Sequence, residues 1–290
     1  MDLRIQWYPG HMTKTKRMLI AQMGLIDVVV EVLDARIPLS SRNPDIDSLA
    51  KNKKRVLVLN KADLANPEIT TQWEDYFRKL GFFTLRLNAK DNDKKKNGVN
   101  KFYEMLRDIM RERAENQRKR GRINVPTRAM IVGIPNVGKS TFINMLAGRA
   151  STGTADRPGV TRGRQWIKVE PGKGASIDLM DTPGVLWPKF EDPDVGLKLA
   201  CTGAVSDNVV DQVTLAENLI GLLQVAEPNA IAVRYKVELV SDDMRKMLTA
   251  IGEARGFKMK GGIIDIERAA IILLDEFRGG KLGQISLERP

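Results

Sequence analysis

The sequence predicts an α/β fold: a doubly wound, mostly parallel sheet with helices on both faces, followed by a smaller all-helical domain. Three observations predict it. Short apolar runs bounded by turn residues read as strands at 27–33, 56–59, 83–87, 129–132, 165–169 and 177–180. Helical periodicity falls between most of them, at 13–23, 43–51, 67–80, 99–118 and 139–147, and that alternation belongs to crossover connections that keep strands parallel. After Trp187-Pro188 the strand signals fade, and apolar positions recur at helical spacing through 208–223, 242–253 and 265–277. Two domains are therefore expected, 1–192 and 193–290, which suits 290 residues at about 150 per domain. The charged stretch 107–122, ending in Gly121, reads as a helix that runs into a linker.

Composition narrows the class. At 42% hydrophobic and 29% charged residues, the chain can bury a sizeable core, which excludes a disordered or fibrous protein. The best apolar stretches, 25–33 and 220–233, are short and carry Asp27, Glu31 and Glu227. A membrane span needs about 20 nearly uninterrupted apolar residues, so no transmembrane segment is expected. MDLRIQWYPG at the N-terminus has neither an apolar core nor an arginine-rich leader, so no signal or transit peptide is expected. Cys201 is the only cysteine and His11 the only histidine, which excludes an internal disulfide and a Cys/His zinc cluster. The expectation is a cytoplasmic monomer. The net charge is +11, and the last 95 residues hold 12 Lys+Arg against 13 Asp+Glu, so the basic excess precedes them. That excess suits a polyanion partner or a merely solvated face, and charge alone leaves both open.

GIPNVGKS at 133–140 matches GxxxxGK[ST], placed directly after an apolar run and before a helical pattern. The spacing has a physical reason. Gly133 and Gly138 let the loop curl so that backbone N–H groups along Pro135, Asn136 and Val137 point inward at a polyphosphate, and the next helix adds its positive N-terminus through Thr141. Lys139 can reach the β- and γ-phosphates, and the Ser140 hydroxyl can ligate Mg²⁺. This loop implies a nucleoside triphosphate without naming the base.

NKAD at 60–63 names it. The Asp63 carboxylate can accept from N1–H and the exocyclic amine of guanine, whereas adenine would leave that carboxylate unpaired. Asn60 would hold the base edge and its own loop, and the Lys61 stem can lie against the ring. Asn88-Ala89-Lys90, after the next strand, can offer the Ala89 N–H to guanine O6. DTPG at 181–184 follows another strand, so Asp181 can reach Mg²⁺ and the Gly184 N–H can meet the γ-phosphate. Thr161 sits in a loop long enough to close over the nucleotide and give Mg²⁺ a second hydroxyl. Each motif lies at a strand's C-terminal end, where open α/β sheets bind ligands.

Together these motifs resemble those of the GTPase superfamily in an altered order. NKAD and NAK precede GIPNVGKS, Thr161 and DTPG, so the cyclic order is kept and only the cut point moves. The chain thus resembles a circularly permuted P-loop GTPase whose former termini meet through 107–122. WYPGHMTK at 7–14, DARIP at 34–38 with SRNP at 41–44, and PGVTR at 158–162 resemble the ribosome biogenesis GTPase A family across nearly all of the first 195 residues. The resemblance implies a cytoplasmic GTPase that uses GTP/GDP and Mg²⁺ and assists late assembly of the large ribosomal subunit, through its rRNA and ribosomal proteins. A regulatory switch acting on a protein or an anionic membrane remains the alternative.

Hydrolysis poses its own problem. Small GTPases place a glutamine after DxxG to orient water, but here Val185 and Leu186 follow. The resemblance offers two substitutes: His11 of the PGHM motif as a water-positioning imidazole, or a K⁺ ion held by Asn136. A small basic group at Arg255, Lys258 and Lys260 is the candidate RNA contact of the nearly neutral C-terminal domain.

Overall fold

The computed structural model describes residues 10–91, 93, 98–122, 125–148, 165–172, 175–184, 186–187, 190, 192–238 and 243–290. The first half runs α1 (Gly10–Gln22), β1 (Val28–Asp34), α2 (Pro44–Leu49), β2 (Lys54–Asn60), α3 (Pro67–Lys79), β3 (Phe83–Arg86), α4 (Val99–Ile109) and α5 (Arg111–Lys119). It continues through β4 (Thr127–Val132), α6 (Lys139–Ala147), β5 (Gln165–Gly172) and β6 (Ala175–Asp181). Helices then follow: α7 (Pro193–Cys201), α8 (Gln212–Ala226), α9 (Ala230–Tyr235), α10 (Met244–Ala254) and α11 (Ile266–Arg278).

Every expected strand is present, in one six-stranded sheet of order β3-β2-β1-β4-β6-β5. All neighbours are parallel except β5 on β6. Helical crossovers impose the parallel pairs, while β5 and β6 follow each other too closely for a crossover and pair antiparallel. At the centre, all seven residues of β1 are buried, as a strand covered on both faces requires. Burial of Val28, Val29, Val30, Val32 and Leu33 stabilises by about 1.5–3 kcal/mol per side chain, as an upper bound.

Asparagine or aspartate before proline sets three helix starts. Asn43 and Asn66 cap α2 and α3 by accepting from Asp45, Glu68 and Ile69 N–H groups, and Asp192 caps α7 through Asp194. Proline at the first helical position gives up no bonded N–H there.

The structure departs from the expected helices at 99–118. The segment 99–118 is not one helix: α4 buries Val99, Phe102 and Leu106, α5 buries nothing, and the chain leaves helical geometry at Met110. With no apolar stripe, α5 buries no side chain against the sheet, and Arg113 instead pairs with Asp27, next to β1, at 3.0 Å. The apolar run 220–233 is broken at Glu227-Pro228, between α8 and α9, because proline cannot continue a helix. The C-terminal region is helical as expected, with one isolated antiparallel bridge between Lys258 and Ile264.

One hydrophobic cluster runs from the sheet through Leu186 into α7, α8, α10 and α11. A second lies under α3, around Trp73 and Phe77. After α11 the chain returns to the sheet domain. Ile285 N–H donates to Leu64 O and Leu287 N–H to Arg36 O, each at 2.9 Å, while Trp73 Nε1 donates to Glu288 O at 3.3 Å. The Glu288 carboxylate accepts from the N–H groups of Leu39 and Ser40 and from the Ser40 hydroxyl.

Candidate nucleotide site

Strand order places the site. Because β2, β1, β4 and β6 are consecutive neighbours, the loops that follow β2, β4 and β6 leave the same edge of the sheet. NKAD begins on the last residue of β2, GIPNVGKS follows β4, and DTPG begins on the last residue of β6.

Asn60 joins the two halves. Its Nδ2 donates to the Val137 carbonyl of the 133–140 loop at 2.7 Å, and its Oδ1 accepts the Ala89 N–H at 3.0 Å. One buried amide (3% exposed) therefore ties together three loops that lie far apart in sequence. Gly138, at φ 94°, explains its own identity, since an added Cβ would sit 2.3 Å from Asn60 Nδ2. Only glycine permits both that left-handed turn and that approach. Gly133 opens the loop directly after β4, and Lys139, Ser140 and Thr141 form the first turn of α6. The Ala89 N–H, expected to meet guanine O6, is bonded to Asn60. Asn88 Oδ1 accepts from the Lys90 N–H at 2.9 Å and shapes the same turn.

DTPG lies against the phosphate loop. Register pairs Asp181 with Ile131, and Thr182 Oγ1 donates to the Ile131 carbonyl at 2.6 Å. A Cβ on Gly184 would fall 2.8 Å from Pro135 N and Cα and 3.1 Å from Lys139 Nζ, so the two segments touch at the lysine. Lys139 is buried and donates to the Ile134 carbonyl at 2.8 Å. Burial pushes its pKa down to about 8 against the opposing pull of Asp181. Asp181 is 1% exposed, its Oδ1 has no hydrogen-bond partner, and burial raises its pKa to about 6 although Lys139 opposes this. A buried, unpartnered carboxylate oxygen is the donor chemistry a hard divalent cation takes.

The guanine side holds a second buried network. Lys61, at φ 60°, donates to Asp34 Oδ2 at 2.9 Å. Arg36 grips the same carboxylate with Nε at 2.9 Å and Nη2 at 2.8 Å. Burial alone would raise the Asp34 pKa, but Arg36 and Lys61 outweigh it and hold the carboxyl well below the usual range. Asp63 is exposed, and its backbone carbonyl accepts from Gln284 Nε2 at 3.2 Å. Asn136 adopts φ 59°, and its Nδ2 donates to the Gly203 carbonyl at 2.7 Å.

Two expectations fall elsewhere. Thr161 and the side chain of His11, whose backbone belongs to α1, lie outside the described residues. Arg255, Lys258 and Lys260 are all exposed, and Arg255 also pairs with Glu276 at 3.2 Å and lies over the Tyr235 ring at 5.1 Å. Asp34, Arg36 and Gly203 were not anticipated as parts of the site. The DARIP motif carried the first two as a resemblance, while nothing local marked Gly203.

Comparison with known proteins agrees with the geometry. A model of the family described as 50S ribosome-binding GTPase matches residues 128–244, so it begins at the phosphate half and leaves NKAD before it. Ribosome biogenesis GTPase A of Bacillus cereus is 43% identical over 99% of this chain and 94% of its own length. The protein of the same name from Priestia megaterium is 44% identical over 99% and 98%. Among solved structures, GNP-bound YlqF from T. maritima superposes with a TM-score of 0.65 at 27% identity, covering 96% of this chain and 98% of that one. With relatives above 40% identity covering nearly the whole of both chains, the chain belongs to the ribosome biogenesis GTPase A family, with its NKAD motif placed ahead of its phosphate loop.

Proposed function

We propose that this GTPase acts in the assembly of the large ribosomal subunit, binding immature subunits while it holds GTP and leaving them after hydrolysis. The Asn60–Val137 bond carries the nucleotide part of this reading, because it supports one cradle in which purine and triphosphate are held together. The names of the relatives support the ribosomal part. In this reading Asn60, Lys61 and Asp63 hold guanine, with Asn88, Ala89 and Lys90 closing over its far edge. Gly133 to Thr141 surround the phosphates, Lys139 neutralises the β- and γ-oxygens, and the Gly184 N–H meets the γ-phosphate. Ser140, Thr161 and Asp181 would hold Mg²⁺, and the unpartnered Asp181 Oδ1 suits it; such an ion, when bound, offsets charge on the transferred phosphoryl group.

Leu186 is fully buried in the core, so the segment after DTPG offers no polar side chain there to orient water. We assign water positioning to His11 or to a K⁺ ion held by Asn136, and we expect slow intrinsic turnover that the subunit stimulates. The unit 1–192 would be the GTPase domain and 193–290 the subunit-facing domain. The protein would work as a cytoplasmic monomer. No helix among the described residues is long and apolar enough to cross a membrane.

GTP turnover measured with and without purified large subunits tests the proposal. Stimulation, together with co-sedimentation in a non-hydrolysable GTP analogue that is lost in GDP, is the expected result. Unchanged turnover without co-sedimentation would favour a non-ribosomal partner. His11→Ala should lower kcat while sparing GTP affinity; equal loss of both would make it structural. Slower turnover in Na⁺ than in K⁺ would assign the ion to Asn136.

A further inference from the structure

Among the contacts between the site and the helical region, two sets reach consecutive residues, Phe277 and Arg278. Arg36 Nη1 donates to the carbonyls of Phe277 and Arg278 at 3.3 and 3.4 Å, and its guanidinium lies 5.2 Å from the centre of the Phe277 ring. These are carbonyls at the end of α11, where a helix carries partial negative charge, and that of Phe277 also accepts from the Gly280 N–H at 3.1 Å. The path continues from Arg36 to Asp34 and from Asp34 to the guanine-side Lys61.

The Arg278 side chain runs toward the other half of the site. Its Nε donates to Cys201 O at 3.1 Å and its Nη2 to Ala200 O at 2.9 Å. Nη1 and Nη2 also grip the Asp207 carboxylate at 2.9 and 2.8 Å. Arg278 thereby braces the turn after α7, and in that turn Gly203, at φ 78°, presents the carbonyl that accepts from Asn136 of the phosphate loop. The guanine loop and the phosphate loop are each one short relay away from the same helix end.

We infer that the Phe277–Arg278 end of α11 positions both halves of the nucleotide cradle, with Arg36 acting on Lys61 and Arg278 acting on Asn136. The inference rests on the nucleotide reading of 60–63 and 133–140. Its consequence is reciprocal linkage: bound nucleotide holds the helical region in place, and a partner that draws α11 away weakens nucleotide binding by the same factor.

The test titrates labelled GDP into the full-length chain. Arg278→Ala removes the brace, and Arg278→Lys keeps a cation for Asp207 but cannot span two carbonyls and a carboxylate. Asp207→Asn, at a side chain 52% exposed, loosens the same grip without touching the core and decides the matter where an Arg278 variant folds poorly. GDP affinity should fall about tenfold in Arg278→Ala, less in Arg278→Lys, and roughly two- to threefold in Asp207→Asn. Arg278→Ala combined with Asn136→Ala should be no weaker than the worse single variant, because both break one connection. Unchanged affinity in folded Arg278→Ala or Asp207→Asn would overturn the inference, as would multiplying effects in the double variant. A wild type that binds ADP as well as GDP would instead sink the site reading, and the inference with it.

Discussion

The two halves of the nucleotide site are built on opposite principles. On the guanine side, polar groups satisfy one another: both ends of the Asn60 amide are bonded, and Asp34 balances Lys61 and Arg36. On the phosphate side, charges sit in the sheet edge at a cost, with Lys139 lowered to about 8 and Asp181 raised to about 6, mainly by burial. If these halves hold base and phosphate as proposed, the first is shaped by internal bonds. The second keeps two buried charges that only partly offset each other and that anionic phosphate and a cation would complete.

Substitutions on the two sides should therefore fail in different ways. The largest effect belongs to Asp63→Asn, which exchanges an acceptor for a donor at the base edge. GTP preference should pass to xanthosine triphosphate, with GTP affinity falling by roughly 10³–10⁴. Competition titrations read this directly, and unchanged GTP binding would show that NKAD does not face the base.

Asp34→Ala comes next, and its effect should be on folding rather than on binding alone. It leaves Arg36, 1% exposed, and Lys61 without their shared carboxylate, a loss of about 3–5 kcal/mol. Thermal unfolding of nucleotide-free protein should show a midpoint lower by roughly 10 °C. A midpoint that does not move would mean the guanine side is not self-supporting.

The pH dependence sharpens the contrast. Asp181 binds its proton more tightly in the folded chain, because burial raises its pKa from the ordinary 3.8 to about 6. Its contribution to the stability of the nucleotide-free protein is complete below pH about 4 and lost by pH about 6. A bound Mg²⁺ needs the ionised carboxylate, so Mg²⁺-dependent nucleotide affinity should fall up to tenfold per unit as pH drops below about 6. Calorimetric titrations between pH 5 and 8 separate these opposite slopes, and an affinity flat across that range would remove Asp181 from the metal site.

The smallest effect is a gain. Asp181→Asn removes a buried charge with an unpartnered oxygen, so nucleotide-free protein at pH 7.5 should be as stable as wild type or more stable, by about 1 kcal/mol. Chemical denaturation measures it, and a clear loss would place Asp181 among the structural groups.

How much of this was legible in the sequence follows from how local each cause is. The phosphate loop was legible because its chemistry demands glycine at both ends and Lys-Ser at the helix start. The central strands were legible because both-face burial writes a continuous apolar run, as in β1, and the edge strand β5 through its alternation of buried Ile167 and Val169 with exposed Trp166 and Lys168. The starts of α2 and α3 were written as Asn-Pro. Other features had no local cause. The break at Met110 falls where the buried face of α4 ends and α5 buries no side chain. Arg36 reaches the end of α11 across 241 positions and Asn136 reaches Gly203 across 67, and no sequence period marks such partners. The return of 285–288 along Leu64 and Arg36 was hidden for the same reason.

Chain order gives the Asn60–Val137 bond a further meaning during synthesis. The purine-holding loops leave the translating ribosome first, yet the groove that would cup a phosphate depends on residues made some 77 positions later. The brace at Arg278 comes later still. A nascent copy should thus stay blind to nucleotide until most of it has emerged, and only a nearly finished molecule becomes able to sense the pool of GTP around it.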